Sequence, residues 1–323
     1  MAFDPASVRR IVVLGPNKPF WGAGLVQLPF YAALRRACPG AEVTVVSPVP
    51  QASLFVDLGL ADHLEVIDRR RLGPTLAAVR RAHPDLVLSL RDRSLQANLA
   101  AALSGARRRA GFDRPLNRLL LGRTAPVDTG RYMAFRYLGV LEAAGIRHHG
   151  LDDLADLFPP VPVDLPRGHP LFVFMPGGGQ PEKRWGIANF LRLAELLGRS
   201  HAGAVFVFVL GPDERGDLPA IEAGLPASRR RVLLEQPAGA IVAAARAARA
   251  VVANDCGPSH LAQLCGVPYV GLFGAFDAHT DRRIAEWFHR HERARVLVPA
   301  AGAPLTALPP EAVARAVAEI TVA

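Results

Sequence analysis

Cysteine is scarce and badly spaced for chemistry. Cys38, Cys256 and Cys265 form an odd set without metal-ligand spacing, so neither a disulfide framework nor a zinc site is expected. No apolar run is long enough to cross a bilayer. Residues 1–5 carry an acid and a proline, and the apolar stretch from Ile11 lasts four residues, so no secretory leader is read and a reducing cytoplasm is the expected compartment. Aromatic residues make up only 7%, and no basic stripe is interleaved with Phe or Tyr as a base-stacking platform requires; nucleic acid is not an expected partner. The first βα turn lacks a Gly-x-Gly-x-x-Gly with a following acid, which speaks against a hydride-transferring dehydrogenase. Internal repeats and low-complexity tracts are not seen.

What is present is positive charge and a regular alternation of short apolar runs. The 38 Lys and Arg against 29 Asp and Glu leave +9 at pH 7, nearly all of it arginine, which coding bias explains as readily as function. Where it is functional it favours anionic partners, and the arginines at 107–136 crowd into one half, in keeping with an anionic acceptor or an acidic lipid surface. In the first half, strands are expected at 10–14, 42–47, 63–67 and 86–90, and helices at 25–37, 74–83, 95–104 and 132–144. Strands alternating with helices at this spacing argue for a parallel sheet of βαβ units.

Residues 158–170 hold too many prolines for a helix or a central strand and read as a linker between an amino-terminal domain, 1–157, and a second one, 171–308. After it the alternation restarts, with strands at 171–175, 204–210, 231–234, 250–254 and 268–272 and helices at 187–197, 238–249 and 258–265. A terminal helix occupies 310–320, within a last segment 309–323. The fold expected is α/β, with two Rossmann-like domains facing each other across a cleft that holds the site.

Three strand ends in the second half carry polar residues suited to phosphates and hydroxyls. Strand 171–175 runs into Pro176-Gly177-Gly178-Gly179 and then Lys183-Arg184-Trp185; strand 204–210 into Gly211-Pro212-Asp213-Glu214; strand 250–254 into Asp255-Cys256-Gly257-Pro258-Ser259-His260. All strand carboxyl ends of an open parallel sheet lie along one edge, so these segments converge there. Glycines allow a ligand close to the backbone, and a helix starting near Gly186 aims free N–H groups at an anion. Lys183 adds a mobile charge, and Glu214 suits ribose hydroxyls. Asp255 caps or binds, and His260 lies about one turn on. Each cluster alone also fits a plain turn, a capping acid or a packed histidine. A Cys256–His260 nucleophilic pair is a weaker reading, since no oxyanion arrangement accompanies it.

Taken in order, Pro176-Gly177 to Lys183-Arg184-Trp185, Leu210 to Glu214, Asn254 to Ala262, Val267-Pro268 and Leu272-Phe273-Gly274 resemble the donor half of the ADP-heptose:lipopolysaccharide heptosyltransferases, family-nine glycosyltransferases of GT-B fold. More loosely, Gly22 to Pro29, Leu86 to Leu90 and Gly105 to Phe112 are similar to the acceptor half. The resemblance implies Lys183 at the donor diphosphate, with Gly177, Gly178 and Arg184 beside it, and Glu214 at the ribose. Asp255 falls at the transferred sugar, and Cys256, Gly257 and His260 near the phosphates. It places the acceptor near Asn17, Lys18, Gly22, Ala23 and Arg91. It implies inverting transfer to a hydroxyl of an anionic acceptor such as lipopolysaccharide, an ADP-sugar as co-substrate, no metal and no other cofactor, a cytoplasmic protein with peripheral inner-membrane contact, and a terminal helix packing back on the first domain.

Two positions depart from the pattern. Where the family has Gly-Asp, the Asp serving as general base, this chain has Gly22-Ala23 after a loop that is slightly long. Asp92, at the carboxyl end of strand 86–90, is the substitute base considered, against an ordinary ion pair with neighbouring arginines. Cys256 stands where Ser or Thr is more usual. These departures keep two alternatives open: a soluble small-molecule acceptor, or a homologue that binds a nucleotide-sugar without turning it over.

Overall fold

The computed structural model describes residues 4–154, 157–158, 161–275 and 278–321; Pro159 and Pro160 of the expected linker lie outside them. The chain divides into two compact units, Met1–Leu157 and Phe158–Ala323.

In the first unit the strands are β1 (Arg10–Leu14), β2 (Glu42–Ser47), β3 (His63–Val66), β4 (Leu86–Ser89), β5 (Arg108–Phe112) and β6 (Arg123–Ala125), all parallel in the order β3-β2-β1-β4-β5-β6. The second holds β7 (Leu171–Met175), β8 (Val205–Leu210), β9 (Arg230–Leu234), β10 (Ala250–Asn254), β11 (Tyr269–Leu272) and β12 (Ala294–Leu297), parallel in the order β12-β11-β10-β7-β8-β9. Counted from its own first strand, each unit runs 3-2-1-4-5-6, the doubly wound order of dinucleotide-binding folds. The chain changes direction across the sheet between β1 and β4, and again between β7 and β10. Helices cover both faces of such sheets, and β7 (LFVFM) and β8 (VFVFVL) are accordingly buried along their whole length.

Strands β5, β6 and β12 and the helices Ser53–Asp57, Pro115–Leu121, Leu218–Gly224 and Thr280–Trp287 are additions to the sequence reading. β5 opens on Arg108-Arg109 and β12 alternates Ala, Arg, Val and Leu, so neither offers a continuous apolar run. The helix expected at 25–37 is two, Trp21–Leu25 and Leu28–Ala37, because Pro29 has no N–H to continue the first but fits the opening turn of the second.

The terminal helix Pro310–Thr321 contributes to the core of its own unit. Its apolar face, Val313, Ala316, Val317 and Ile320, is buried in the core of the second unit with Phe190, Leu193 and Leu197 of the helix Ile187–Ser200.

Candidate functional site

The carboxyl ends of β7 and β10 are neighbours at the crossover point of the second sheet, and a buried asparagine locks them together. Asn254, the last residue of β10, donates through Nδ2 to the Pro176 carbonyl at 2.7 Å, while its Oδ1 accepts from the Trp185 N–H at 3.4 Å. Trp185 is fully buried, and its Nε1–H donates to the Leu308 carbonyl at 2.9 Å. The loop 176–186 is thereby pinned at both ends. Gly186 then turns the chain at φ +92 into the helix Ile187–Ser200, a conformation other residues avoid.

On this frame the polar residues meet. Lys183 Nζ donates to Asp255 Oδ2 at 2.6 Å, bridging the loops after β7 and β10. Arg184 lies alongside: its Nε donates to the Gly178 carbonyl at 2.9 Å and its terminal nitrogen reaches Glu214 Oε1 at 3.3 Å. Glu214 in turn accepts from the Gly211 N–H at 3.1 Å through Oε2. The three segments therefore join through two ion pairs whose carboxylates are both 9% exposed and whose cations are 24% and 37% exposed. Gly177 is required by closeness: a Cβ there would sit 3.1 Å from the Glu214 carboxyl carbon.

Burial sets the protonation of the neighbours. The Cys256 thiol is pushed up to about 12, first by loss of water, with the charges of Asp255 and Glu214 adding to it. A thiol held neutral is no nucleophile, so the Cys256–His260 pair is set aside. His260 is 3% exposed, and burial together with Lys183 outweighs Asp255 and brings its pKa down to about 4. It is a neutral imidazole at pH 7, able to hydrogen-bond but carrying no charge to an anion. Desolvation also raises the Asp217 carboxyl from its ordinary value, against the pull of Arg184.

The first-unit candidates are not gathered in the same way. Gly22 and Ala23 are buried inside the helix Trp21–Leu25. Lys18 lines a small pocket at the carboxyl ends of β1 and β2, whereas Arg91 and Asp92 follow β4. Asp92 Oδ2 is held by Arg114 at 3.1 Å and Arg93 at 3.8 Å. That is the ion pair weighed against the base reading. Asn17 stands next to Lys18 in the loop after β1.

A protein-family model described as Glycosyltransferase family 9 (heptosyltransferase) matches residues 77–292, more than half of the 323. The chain belongs to that family. The family 9 chain is similar in structure to a glycosyl transferase family 9 protein from Veillonella parvula DSM 2008, at 21% identity over 100% of this chain and 99% of that one, with a TM-score of 0.71. It also resembles E. coli ADP-heptose lps heptosyltransferase II (21% identity, 97% and 98% covered, TM-score 0.66) and E. coli heptosyltransferase WaaC with ADP (20%, 96% and 99%, TM-score 0.70). At these identities the likeness concerns the fold, α/β with two Rossmann-like units. No curated protein matches it.

As a glycosyltransferase, the family 9 chain also depends on two residues that stood in the motif blocks without an assigned role. Asn254 and Trp185 tie the loop after β7 to the end of β10 and to the segment before the terminal helix. A polar residue closing an otherwise apolar strand, Ala-Val-Val-Ala-Asn, was the available signal for Asn254. Trp185 closes the quoted Lys183-Arg184-Trp185 block, but its anchoring role was not read from it.

Proposed function

We propose that this glycosyltransferase moves a heptose from ADP-heptose to a hydroxyl of an anionic acceptor such as the lipopolysaccharide inner core, with inversion and without a metal. The observation that carries the reading is the pair of bridges Lys183–Asp255 and Arg184–Glu214 at the crossover point of the second sheet. There a diphosphate would draw Lys183 away from Asp255, freeing that carboxylate for hydroxyls of the transferred sugar. In this reading Glu214, which accepts from the Gly211 N–H, takes the ribose hydroxyls. Negative charge that develops on departing ADP meets Lys183 and Arg184 in a partly water-excluded setting, where fixed cations stabilise it as a metal ion would. Neutral His260 and the backbone at Gly257 complete the phosphate surroundings. The solved relatives named with ADP, with ADP-2-deoxy-2-fluoro heptose and as an lps heptosyltransferase support the choice of donor and acceptor. The arginines of the first unit favour an anionic acceptor and peripheral contact at the cytoplasmic face of a membrane; no described helix is long and apolar enough to cross one.

A second reading rests on Ala23 and on the engagement of Asp92 by Arg114: a protein that binds nucleotide-sugar without turnover, or that serves a soluble small-molecule acceptor. Calorimetry with ADP tests the donor site. ADP release from ADP-heptose, with and without an inner-core oligosaccharide, separates enzyme from binder, and the anomeric configuration of the product tests inversion. A chain that binds no ADP removes both readings.

A further inference from the structure

Gln27 lies one helical turn after Ala23 and is 4% exposed. Its Nε2 donates to the Ala23 carbonyl at 2.6 Å, which fixes the amide, and its Oε1 is buried with no hydrogen-bond partner. A buried acceptor left in this state has lost its hydration and regained nothing, so its retention points to a proton brought from outside. Gln27 is part of the wall of the pocket that also holds Lys18, Phe20, Trp21 and Ser47, with a volume of about 20 Å³. One water-sized group needs roughly 10–15 Å³, so the space suits a single hydroxyl and excludes a sugar ring. A ring would stay at the mouth, where Phe20 and Trp21 are 69% and 38% exposed. Flat aromatic faces with a polar group beside them suit a ligand that is apolar on one side and hydroxylated on the other. Lys18 is one of only two lysines in the chain, the other being Lys183.

We propose that this pocket binds one hydroxyl of a glycosyl acceptor, with Gln27 Oε1 accepting its hydrogen bond and Trp21 and Phe20 supporting its ring. A neutral amide then orients the hydroxyl in a chain whose position 23 is alanine. The amide takes no proton; its part is orientation and selection. The inference rests on the glycosyltransferase reading above, and Gln27 adds a determinant of acceptor choice to it.

The test is titration of the full chain with a deacylated lipopolysaccharide inner-core oligosaccharide and with lactose, followed by tryptophan fluorescence, with ADP calorimetry run on the same samples. Trp185 is fully buried, and a Trp21→Phe control assigns the signal. Wild type is expected to respond to at least one sugar. Gln27→Leu should weaken that response at least tenfold and leave ADP affinity within twofold. If Gln27→Leu does not fold, Gln27→Asn, which withdraws the acceptor by one methylene, is expected to show the same loss. Equal sugar affinity in the variant, meaning that the pocket holds only a water, overturns the proposal. So does a wild type that binds ADP and neither sugar. A wild type that binds no ADP fails at the donor site instead.

Discussion

At the residue scale, two lysines among 38 cationic side chains are informative because everything around them is arginine. An ammonium on a flexible stem can leave one anion for another, whereas a guanidinium fork tends to hold a fixed planar partner. Lys183, shared between Asp255 and the proposed diphosphate, needs that mobility. Lys183→Ala should weaken ADP by roughly 10- to 100-fold, the equivalent of one charge-assisted hydrogen bond, and isothermal titration reads it directly. Lys183→Arg should recover only part of the affinity if a point charge is what the site requires. Gly177→Ala isolates a different cause: a methyl 3.1 Å from the Glu214 carboxyl carbon must displace that side chain. The expected loss is about 1 kcal/mol of stability, at the low end of overpacking costs, with weaker binding of ADP than of pyrophosphate, since Glu214 is assigned to the ribose. Chemical denaturation and paired titrations check the two effects.

At the scale of elements, the site is a junction of strand ends, and beneath its two ion pairs the groups that brace the junction are apolar or neutral. The Trp185 indole packs edge-on to Phe190 and ties the loop before one helix to the Leu308 carbonyl ahead of the terminal helix. Trp185→Ala should cost about 3–5 kcal/mol in urea unfolding, as large aromatic deletions do. Trp185→Phe should cost about 1–3 kcal/mol, through the carbonyl left unpaired. Asn254→Ala should lower ADP affinity, because the Pro176 carbonyl and the Trp185 N–H lose their common partner. A change confined to stability, with ADP affinity untouched, would separate the junction from the site.

For the whole molecule, two units share one strand order, and on the proposed reading the response to ADP should be local to the second. Hydrogen exchange with saturating ADP should show protection at 176–186, 211–217 and 254–260 and little change in the first unit. Stability should also depend on pH in one direction. His260 and His291 both have pKa values depressed from the ordinary 6.5 to about 4, chiefly by burial. The unfolded chain therefore binds more protons between these values, and the stability present above about pH 6.5 is lost as the pH falls toward 4. Melting temperatures at pH 7, 5.5 and 4.5 should decline in that order, and His260→Gln should flatten the decline.

The sequence by itself determined the strands that are apolar throughout, such as β7, β8 and β10, and the polar clusters that follow each of them. A run buried on both faces is legible without its neighbours, and parallel strands bring their carboxyl ends to one edge whatever lies between. It did not determine β5 or β12, whose arginines interrupt any apolar run, nor which partners the terminal helix finds in the core of its own unit. Only the tertiary structure decided that Lys183 neutralises Asp255, that His260 and Cys256 are uncharged, and that Gln27 has an acceptor without a partner. Each of these depends on the distance between segments remote in sequence and on how much water is excluded there, and neither quantity is written in the order of the residues.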